Sequence, residues 1–173
     1  MQGSTPSASC LIHIGFYKSA STWLQKCYFT ETYGFERVMD SLQLQLDVLA
    51  PQGEDYQAEV IRTELADTFA QVQQRGLCPV ISSEGLSGDL VRGGHTRADL
   101  AKRMSDVLGD SPRILLVVRE QRQLLRSAYK TLVYFGESRP VEKLLQPLAD
   151  DEAPRFNPQF LCFDRLVKMY QEL

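Results

Sequence analysis

The chain has 173 residues, of which 43% are hydrophobic and 24% charged, and its formal net charge is −3. This length predicts one domain over residues 1–173, with a flexible N-terminus at 1–9. The negative net charge provides no general basic field that would attract nucleic acid. The chain has neither an apolar run of ~18 residues nor a signal peptide, which indicates a cytoplasmic protein without membrane contact.

The first predicted elements are a strand, a small-residue loop and a helix, in the segment LIHIGFYKSASTWL. An apolar run ends at Gly15, the turn carries Lys18 and several hydroxyl groups, and apolar periodicity resumes at Trp23. Free N–H groups at the positive end of a helix, beside a lysine, form a site for a phosphate-like or sulfate-like anion. The alternative is ordinary helix capping by Ser19 or Ser21.

The order of residues in this loop differs from that of the nucleotide-binding P-loop, G-x-x-x-x-G-K-[ST]. The lysine lies three residues after Gly15, and Ala20 and Ser21 occupy the positions of the Gly-Lys pair. The spacing therefore excludes a P-loop of that type.

The segment FYKSASTW resembles the 5′-phosphosulfate loop of sulfotransferases that use 3′-phosphoadenosine-5′-phosphosulfate (PAPS), whose pattern is Y-P-K-[ST]-G-[ST]-T-W. The segment departs from that pattern at Tyr17, where the family has proline, and at Ala20, where it has glycine. Alanine fits this position only if its φ is negative. The resemblance implies cofactor binding by Lys18, Ser19, Ala20, Ser21, Thr22 and Trp23.

A second strand is predicted after Gly76, in an apolar run that ends at Ser82, Ser83 and Glu84. Ligand-binding residues of open α/β sheets collect at the carboxyl ends of strands. In the resemblance, this strand end carries the general base, so Glu84 is the expected base, with a pKa raised by partial burial. The alternative is an N-cap or turn carboxylate exposed to water.

A third strand is predicted in the run PRILLVV, which is followed by Arg119 and, eight residues later, by Ser127 in a helical pattern. In the resemblance, an arginine and a serine at these positions hold the 3′-phosphate of the cofactor. The guanidinium presents a planar fork of donors suited to phosphate, and the hydroxyl adds one more. The alternative is an arginine at a sheet edge and a serine on a solvated helix face.

Helices are predicted at 56–74 and 97–108, each ending at a glycine, and again after the cap formed by Asn157 and Pro158. The segment 41–48 fits both a strand and a helix. The alternation predicts an α/β fold with an open, mostly parallel sheet flanked by helices. The resemblance implies that this is the P-loop-like sulfotransferase fold.

In the resemblance, the family continues beyond a helix like the one that ends at Leu173 with a further strand and a basic loop that completes the cofactor site. The fold is therefore expected to be C-terminally short, and the chain is either a fragment or a short relative with a more open cofactor site. A sheet edge left without a neighbour must be covered or paired. The sequence therefore predicts poor solubility, or a homo-oligomer or another partner at that edge.

The four cysteines, at positions 10, 27, 78 and 162, lie largely in apolar stretches without disulfide or metal spacing, which predicts reduced, packed thiols. His13 is assigned to a strand and His95 to a loop, again without metal-ligand spacing. We therefore expect no metal.

The resemblance implies transfer of a sulfuryl group from PAPS to a hydroxyl or amine of a small-molecule or glycan acceptor. Lys18 and Glu84 are the expected catalytic residues. Trp23 either stacks on adenine or belongs to the core. Two other classes stay open, a P-loop nucleotide kinase or phosphotransferase and a non-catalytic nucleotide-binding relative.

The acceptor pocket is expected in the segments 39–55, 87–96 and 136–140. A stripe at helical spacing, formed by Arg122, Arg126 and Lys130, either steers an anionic acceptor or forms a solvated face.

Overall fold

Strands and helices alternate along the chain in the computed structural model, which describes residues 10–51, 53–88, 94, 96–109, 112–144 and 158–172. The strands are β1 Leu11–Gly15, β2 Phe35–Arg37, β3 Cys78–Ser83 and β4 Arg113–Val117. The α-helices are α1 Ser21–Trp23, α2 Ser41–Leu44, α3 Ala58–Gln74, α4 Arg97–Leu108, α5 Gln121–Tyr134, α6 Val141–Leu144 and α7 Phe163–Gln171. The chain also forms π-helical segments at Leu24–Tyr28 and Gln45–Leu49, and 3₁₀ turns at Glu31–Tyr33, Gly53–Asp55, Glu84–Ser87 and Pro158–Leu161. The predictions made for residues 1–9, His95 and Asn157 lie outside the described residues.

All four strands run parallel in one sheet, in the order β2-β3-β1-β4. This confirms the predicted α/β class. Ile14 of β1 pairs with Ser83 at the end of β3, and Gly15 pairs with Val117 at the end of β4. The loops that follow β1, β3 and β4 therefore meet at one edge of the sheet. This edge holds the carboxyl ends of the parallel strands, the position at which open α/β sheets bind ligands.

The apolar core surrounds the two central strands, whose side chains Ile12, Ile14, Val80 and Ile81 are all buried. Continuous apolar runs of this kind are typical of inner strands in a parallel sheet. The loop after β1 therefore begins at the end of a strand that is fully packed in the core.

The two long helices of the middle of the chain were predicted correctly. α3 begins two residues later than its apolar pattern, and α4 has the predicted bounds. Each is followed by a glycine with a positive φ, Gly76 (75°) after α3 and Gly109 (66°) after α4, a conformation that ends helices at little steric cost.

The segment that fitted both a strand and a helix is helical. Asp40 precedes α2, and its carboxylate accepts hydrogen bonds from the N–H groups of Leu42 and Gln43, both at 2.8 Å. This cap satisfies two of the donors that a helix start leaves free. The helix then continues as the π-helical segment Gln45–Leu49.

The single helix predicted after Pro158 is wrong, because the chain forms a 3₁₀ turn and then α7. Cys162 separates them, with φ −80° and ψ 83°, outside the helical region. On either side of this break, Phe160 and Phe163 contact the ring of Phe16, with centroids 5.1 and 4.7 Å away. The break therefore belongs to the packing under the loop that follows β1.

None of the four cysteines forms a disulfide, but they are not all packed as predicted. Cys10 is buried and Cys27 is exposed. Cys27 lies in the π-helical segment Leu24–Tyr28, in which no side chain is buried. Apolar neighbours in sequence therefore did not indicate burial at this position.

Candidate functional site

The loop after β1 is a compact turn held by its own backbone. The N–H of Phe16 donates to the carbonyl of Val117 at 3.2 Å, and the N–H of Ser19 donates to the carbonyl of Phe16 at 3.1 Å. The Ser19 hydroxyl donates to the same carbonyl. Lys18 lies between these contacts, exposed to solvent. The loop therefore presents its lysine outward at the carboxyl end of β1.

Two residues of this loop have a left-handed backbone, Lys18 with φ 66° and Ala20 with φ 67°. The condition that Ala20 has a negative φ is therefore not met. A glycine, which the sulfotransferase pattern has at this position, adopts this conformation without the steric cost of a Cβ. Alanine adopts this conformation here at an energetic cost.

Ser21 opens the helix, and its hydroxyl is buried without a hydrogen-bond partner. The N-cap residue is Ala20, which makes no side-chain cap bond. Neither Ser19 nor Ser21 caps this helix, so the alternative of ordinary helix capping is wrong. α1 and the π-helical segment after it make one continuous helix from Ser21 to Tyr28. Its first N–H groups have no acceptor within the helix, so this end can receive an anion.

Gly15 makes room for the Ser21 hydroxyl. A Cβ on Gly15 would lie 2.1 Å from Ser21 Oγ and 3.3 Å from His13 Nε2. Any larger residue would require the Ser21 hydroxyl to move from its position against the end of β1. The glycine at the end of this strand therefore allows the close approach of the Ser21 side chain.

His13 lies beneath the loop as part of a buried polar network. Its Nδ1 is 2.8 Å from Ser82 Oγ, while the Gln25 side-chain amide donates to the Ser82 hydroxyl and carbonyl, both at 3.2 Å. His13 Nε2 has no partner, and burial lowers the pKa of His13 to about 4. The neutral ring therefore connects β1, β3 and the first helix. The sequence pattern assigns His13 only to a strand, and the signal of a buried polar contact is a polar residue inside the apolar run LIHIG.

Glu84 follows β3 as the first residue of a 3₁₀ turn and is half-buried. Burial raises the pKa of its carboxyl, and the nearby positive charge of Lys18 acts in the opposite direction. The turn is capped by Ser83, whose hydroxyl accepts the N–H of Gly85 at 3.0 Å. Glu84 is therefore a turn carboxylate, as one alternative had it, but it is not the N-cap and is only partly exposed to water. The fold brings this carboxylate and Lys18 together from the ends of adjacent strands.

Arg119 links the loop to α5. Its Nη1 donates to the Lys18 carbonyl at 3.1 Å, and its Nε and Nη2 donate to Gln123 Oε1 at 3.3 and 3.0 Å. A hollow of about 380 Å³, which we call the cationic hollow, is lined by Arg119, Gln123, Arg126, Ser127 and Lys130. The predicted pair of Arg119 and Ser127 thus lies in one polar recess beside the loop.

A second hollow of about 380 Å³ adjoins the first, and nothing in the sequence predicted it. We call it the aromatic hollow; it is lined by Lys18, Ser127, Lys130, Thr131, Tyr134 and Phe135. Because Ser127 and Lys130 line both hollows, the two form one groove along α5.

The other predicted site residues lie at the surface. Trp23 is 58% exposed and stacks on Tyr28, with ring centroids 6.4 Å apart, so the interpretation of Trp23 as a core residue is wrong. Of the basic stripe, Arg126 and Lys130 line the cationic hollow, whereas Arg122 is exposed outside both hollows. The stripe therefore only partly coincides with the site.

Over the described ranges, no three side chains among His, Cys, Asp and Glu gather as a metal site would require. No helix in those ranges combines the length and the apolar character needed to cross a bilayer. Compared with family models, curated proteins and solved structures, the chain gives no match. Over the described residues, fold and site together define an α/β protein with a small all-parallel sheet of four strands and a lysine-bearing loop at the carboxyl ends of its strands.

Proposed function

We propose that this protein transfers a sulfuryl group from PAPS to a hydroxyl or amine acceptor, on a P-loop-like sulfotransferase fold. The observation that carries the proposal is the meeting of Lys18, Glu84 and Arg119 at one edge of the sheet, each from the end of a different strand. This arrangement combines a cation, a proton acceptor and a phosphate-binding recess.

The loop after β1 takes the 5′-phosphosulfate. The N-terminal N–H groups of the first helix and the hydroxyls of Ser21 and Thr22 donate to it. The Ser21 hydroxyl has no hydrogen-bond partner, and a change of its rotamer toward a bound anion would give it one. Ser19 holds the loop in shape through the Phe16 carbonyl, and Ala20 completes the turn.

The cationic hollow takes the 3′-phosphate. Arg119 donates three hydrogen bonds, one to the Lys18 carbonyl and two to Gln123 Oε1. A guanidinium has five N–H donors, so two are left for a ligand. Ser127 adds a hydroxyl, and Arg126 and Lys130 add charge. The exposed ring of Trp23 is available to stack on the base.

Lys18 and Glu84 act in the transfer step. The acceptor oxygen or nitrogen bonds to sulfur, the bond between sulfur and the bridging phosphate oxygen breaks, and its electron pair stays on that oxygen. Lys18 stabilises the developing charge there. Glu84 takes the proton from the hydroxyl or amine of the acceptor. Burial raises the pKa of the Glu84 carboxyl, which makes Glu84 a better base.

Nucleotide kinase activity receives less support from the site. The residue after Arg119 is Glu120, where a magnesium-binding aspartate would be expected. Its carboxylate caps α5 by accepting the N–H groups of Arg122 at 3.0 Å and Gln123 at 2.8 Å. These two hydrogen bonds are the main reason why the pKa of Glu120 is lowered.

Ligand-dependent thermal stability tests the proposal. The protein is heated alone, with 3′,5′-bisphosphoadenosine, and with ATP and magnesium. A ligand at 100 times its dissociation constant adds about 2.7 kcal/mol to the free energy of unfolding. We expect this gain with the bisphosphate, and stabilisation by ATP and magnesium alone would contradict the proposal.

Two variants then assign the roles. Arg119→Lys keeps the charge but loses the guanidinium fork, so we expect weaker bisphosphate binding, while Arg122→Lys, outside both hollows, is the matched control. Glu84→Gln should still bind the bisphosphate but lose sulfuryl transfer. Full transfer activity in Glu84→Gln would remove Glu84 from the role of base.

A further inference from the structure

Two buried polar atoms lie close together beneath the loop after β1. They are His13 Nε2 and Ser21 Oγ, and neither has a hydrogen-bond partner among the described residues. Apart from its chain neighbours, a Cβ added to Gly15 would have Ser21 Oγ and the Cε1 and Nε2 atoms of His13 as its nearest heavy atoms, all within 3.3 Å. Unpartnered polar atoms in a protein interior are rare and costly. Two of them at one point therefore need a physical explanation.

The hydrogen bonds on the other side of the His13 ring determine which of its nitrogens carries the proton. The Gln25 side chain contacts the Ser82 carbonyl, which only accepts, so its amide nitrogen faces Ser82 and also donates to the Ser82 hydroxyl. That hydroxyl has one hydrogen to donate, and His13 Nδ1 lies 2.8 Å from its oxygen. No other described contact of the Ser82 hydroxyl accepts this hydrogen, so Ser82 donates to Nδ1.

The proton of the ring is therefore on Nε2. Burial lowers the pKa of His13 to about 4, so the ring is neutral and carries a single N–H. Because Nδ1 accepts from Ser82, this N–H belongs to Nε2, the atom beside Ser21 Oγ. A buried donor thus lies next to a buried oxygen whose lone pairs can accept it.

We propose that His13 is a positioning residue of the loop after β1, and that its Nε2–H donates to Ser21 Oγ when the loop holds its anion. This inference rests on the anion site of the proposed function and adds to it a residue that does not touch the ligand. Hydrogen bonds near reacting groups are often poorly aligned until the ligand is bound. A hydroxyl accepts and donates at the same time, so Ser21 keeps its own hydrogen for the anion.

The direction of these hydrogen bonds favours a negative charge at the helix start. The donors run from Gln25 through Ser82 and the imidazole ring to Ser21, the first residue of the helix. Hydrogen bonds in series polarise one another, and the N–H groups and dipole of the helix already favour an anion at this end. In the opposite tautomer, Nε2 would accept the Ser21 hydrogen and leave none for the anion.

NMR of the protein with ¹⁵N-labelled histidine measures the tautomer of His13. His95→Gln removes the chain's other histidine and so assigns the signals. Near neutral pH we expect a proton on Nε2 and none on Nδ1, and a downfield shift of the Nε2 proton when 3′,5′-bisphosphoadenosine is added. A proton on Nδ1 would overturn the proposal, as would an Nε2 proton that does not respond to saturating bisphosphate.

Two substitutions at His13 separate positioning from packing. A glutamine can place its amide nitrogen where Nε2 lies, whereas the shorter asparagine reaches only the position of Nδ1. Both lose the contact of the imidazole ring with Phe29. We expect His13→Asn to weaken bisphosphate binding about tenfold and His13→Gln to stay within about threefold of the wild type. Equal weakening in both variants would show that the ring serves only packing.

A double variant tests whether His13 acts through Ser21. Ser21→Ala removes the acceptor of the proposed hydrogen bond, so adding His13→Asn to it should weaken binding no further. Ser105→Ala, a half-buried serine on α4, is the matched control and should bind as the wild type does. Additive losses in the double variant would contradict the coupling of His13 to Ser21.

Inorganic phosphate separates the failure of this inference from the failure of the proposed function. If the bisphosphate binds to none of these proteins, the sulfotransferase proposal fails, and phosphate replaces it as the probe of the loop. An Nε2 proton of His13 that shifts with phosphate still supports the positioning role. An Nε2 proton that does not shift with phosphate overturns it.

Discussion

Ala20 carries steric strain at the centre of the candidate site. Its φ of 67° brings the Cβ of an L-residue close to the following carbonyl oxygen, at a cost of roughly 1–2 kcal/mol. Such strain is typical of functional sites, where surrounding contacts maintain it. Here the contacts are the N–H groups of Trp23 and Leu24, which donate to the Ala20 carbonyl at 3.0 and 3.1 Å.

Ala20→Gly should therefore stabilise the protein. Removing the Cβ relieves the steric cost, while glycine's greater freedom in the unfolded chain offsets part of the gain. We expect the free energy of unfolding to rise by about 0.5–1 kcal/mol in urea denaturation. Ala70→Gly, at an exposed position within α3, is the control and should lose about 1 kcal/mol. Equal losses in both variants would show that the φ of Ala20 carries no strain.

The joint between β1, β3 and the first helix depends on one buried polar network. Ser82 of β3 contacts His13 of β1 and receives the amide of Gln25 from the helix. The ring of His13 also packs on Phe29, with centroids 5.3 Å apart. These contacts hold β1, β3 and the first helix together around the loop that follows β1. Ionisation of His13 would therefore weaken the packing of all three elements.

Acidification should weaken this joint. The pKa of His13 is about 4 in the folded protein against an ordinary value of 6.5, so the unfolded chain binds an extra proton between these values. The contribution of His13 to the free energy of unfolding therefore has its full value above pH 6.5. This contribution falls by about 3 kcal/mol as the pH decreases toward 4. The measurement is the free energy of unfolding as a function of pH.

Two variants isolate this contribution from that of the carboxylates. His13→Gln has no imidazole to titrate and should show a flatter stability profile between pH 6.5 and 4. His95→Gln removes the chain's other histidine and should keep the steep profile. A wild-type slope retained in His13→Gln would contradict the assignment of this acid sensitivity to His13.

At the scale of the whole molecule, sequence patterns predicted the parts of the site that lie at element ends. The strand before Lys18, the strand before Glu84 and the strand and helix around Arg119 each have local signals. Because all three strands are parallel neighbours, their ends had to meet. The α/β class and the position of these three residues therefore followed from the sequence.

Tertiary packing determined what the sequence did not indicate. The positive φ of Ala20 depends on the turn closing over Phe16, and the break at Cys162 accompanies the contacts of Phe160 and Phe163 with Phe16. The aromatic hollow is formed between Lys18 and the outer side of α5, which are distant in sequence. No local pattern contains such information.

The sheet also presents an edge strand whose apolar side chains are partly uncovered. Among the described residues, β4 pairs only with β1. Ile114 of β4 is 39% exposed, and it borders a hollow of about 210 Å³ that Leu166 and Val167 of α7 line on the other side. Unpaired edges with exposed apolar residues are templates for association. We expect two copies of the chain to pair through β4.

Ile114→Lys should weaken that association. A lysine on an edge strand opposes pairing by its charge and hydration, and the variant loses the burial of one large apolar side chain. We expect the dimer dissociation constant to rise by at least ~tenfold in sedimentation velocity over a concentration series. Leu42→Lys, an exposed apolar position on α2, is the control and should leave the dissociation constant unchanged. A wild-type protein that stays monomeric throughout, or an equal effect of both variants, would show that β4 is not the contact.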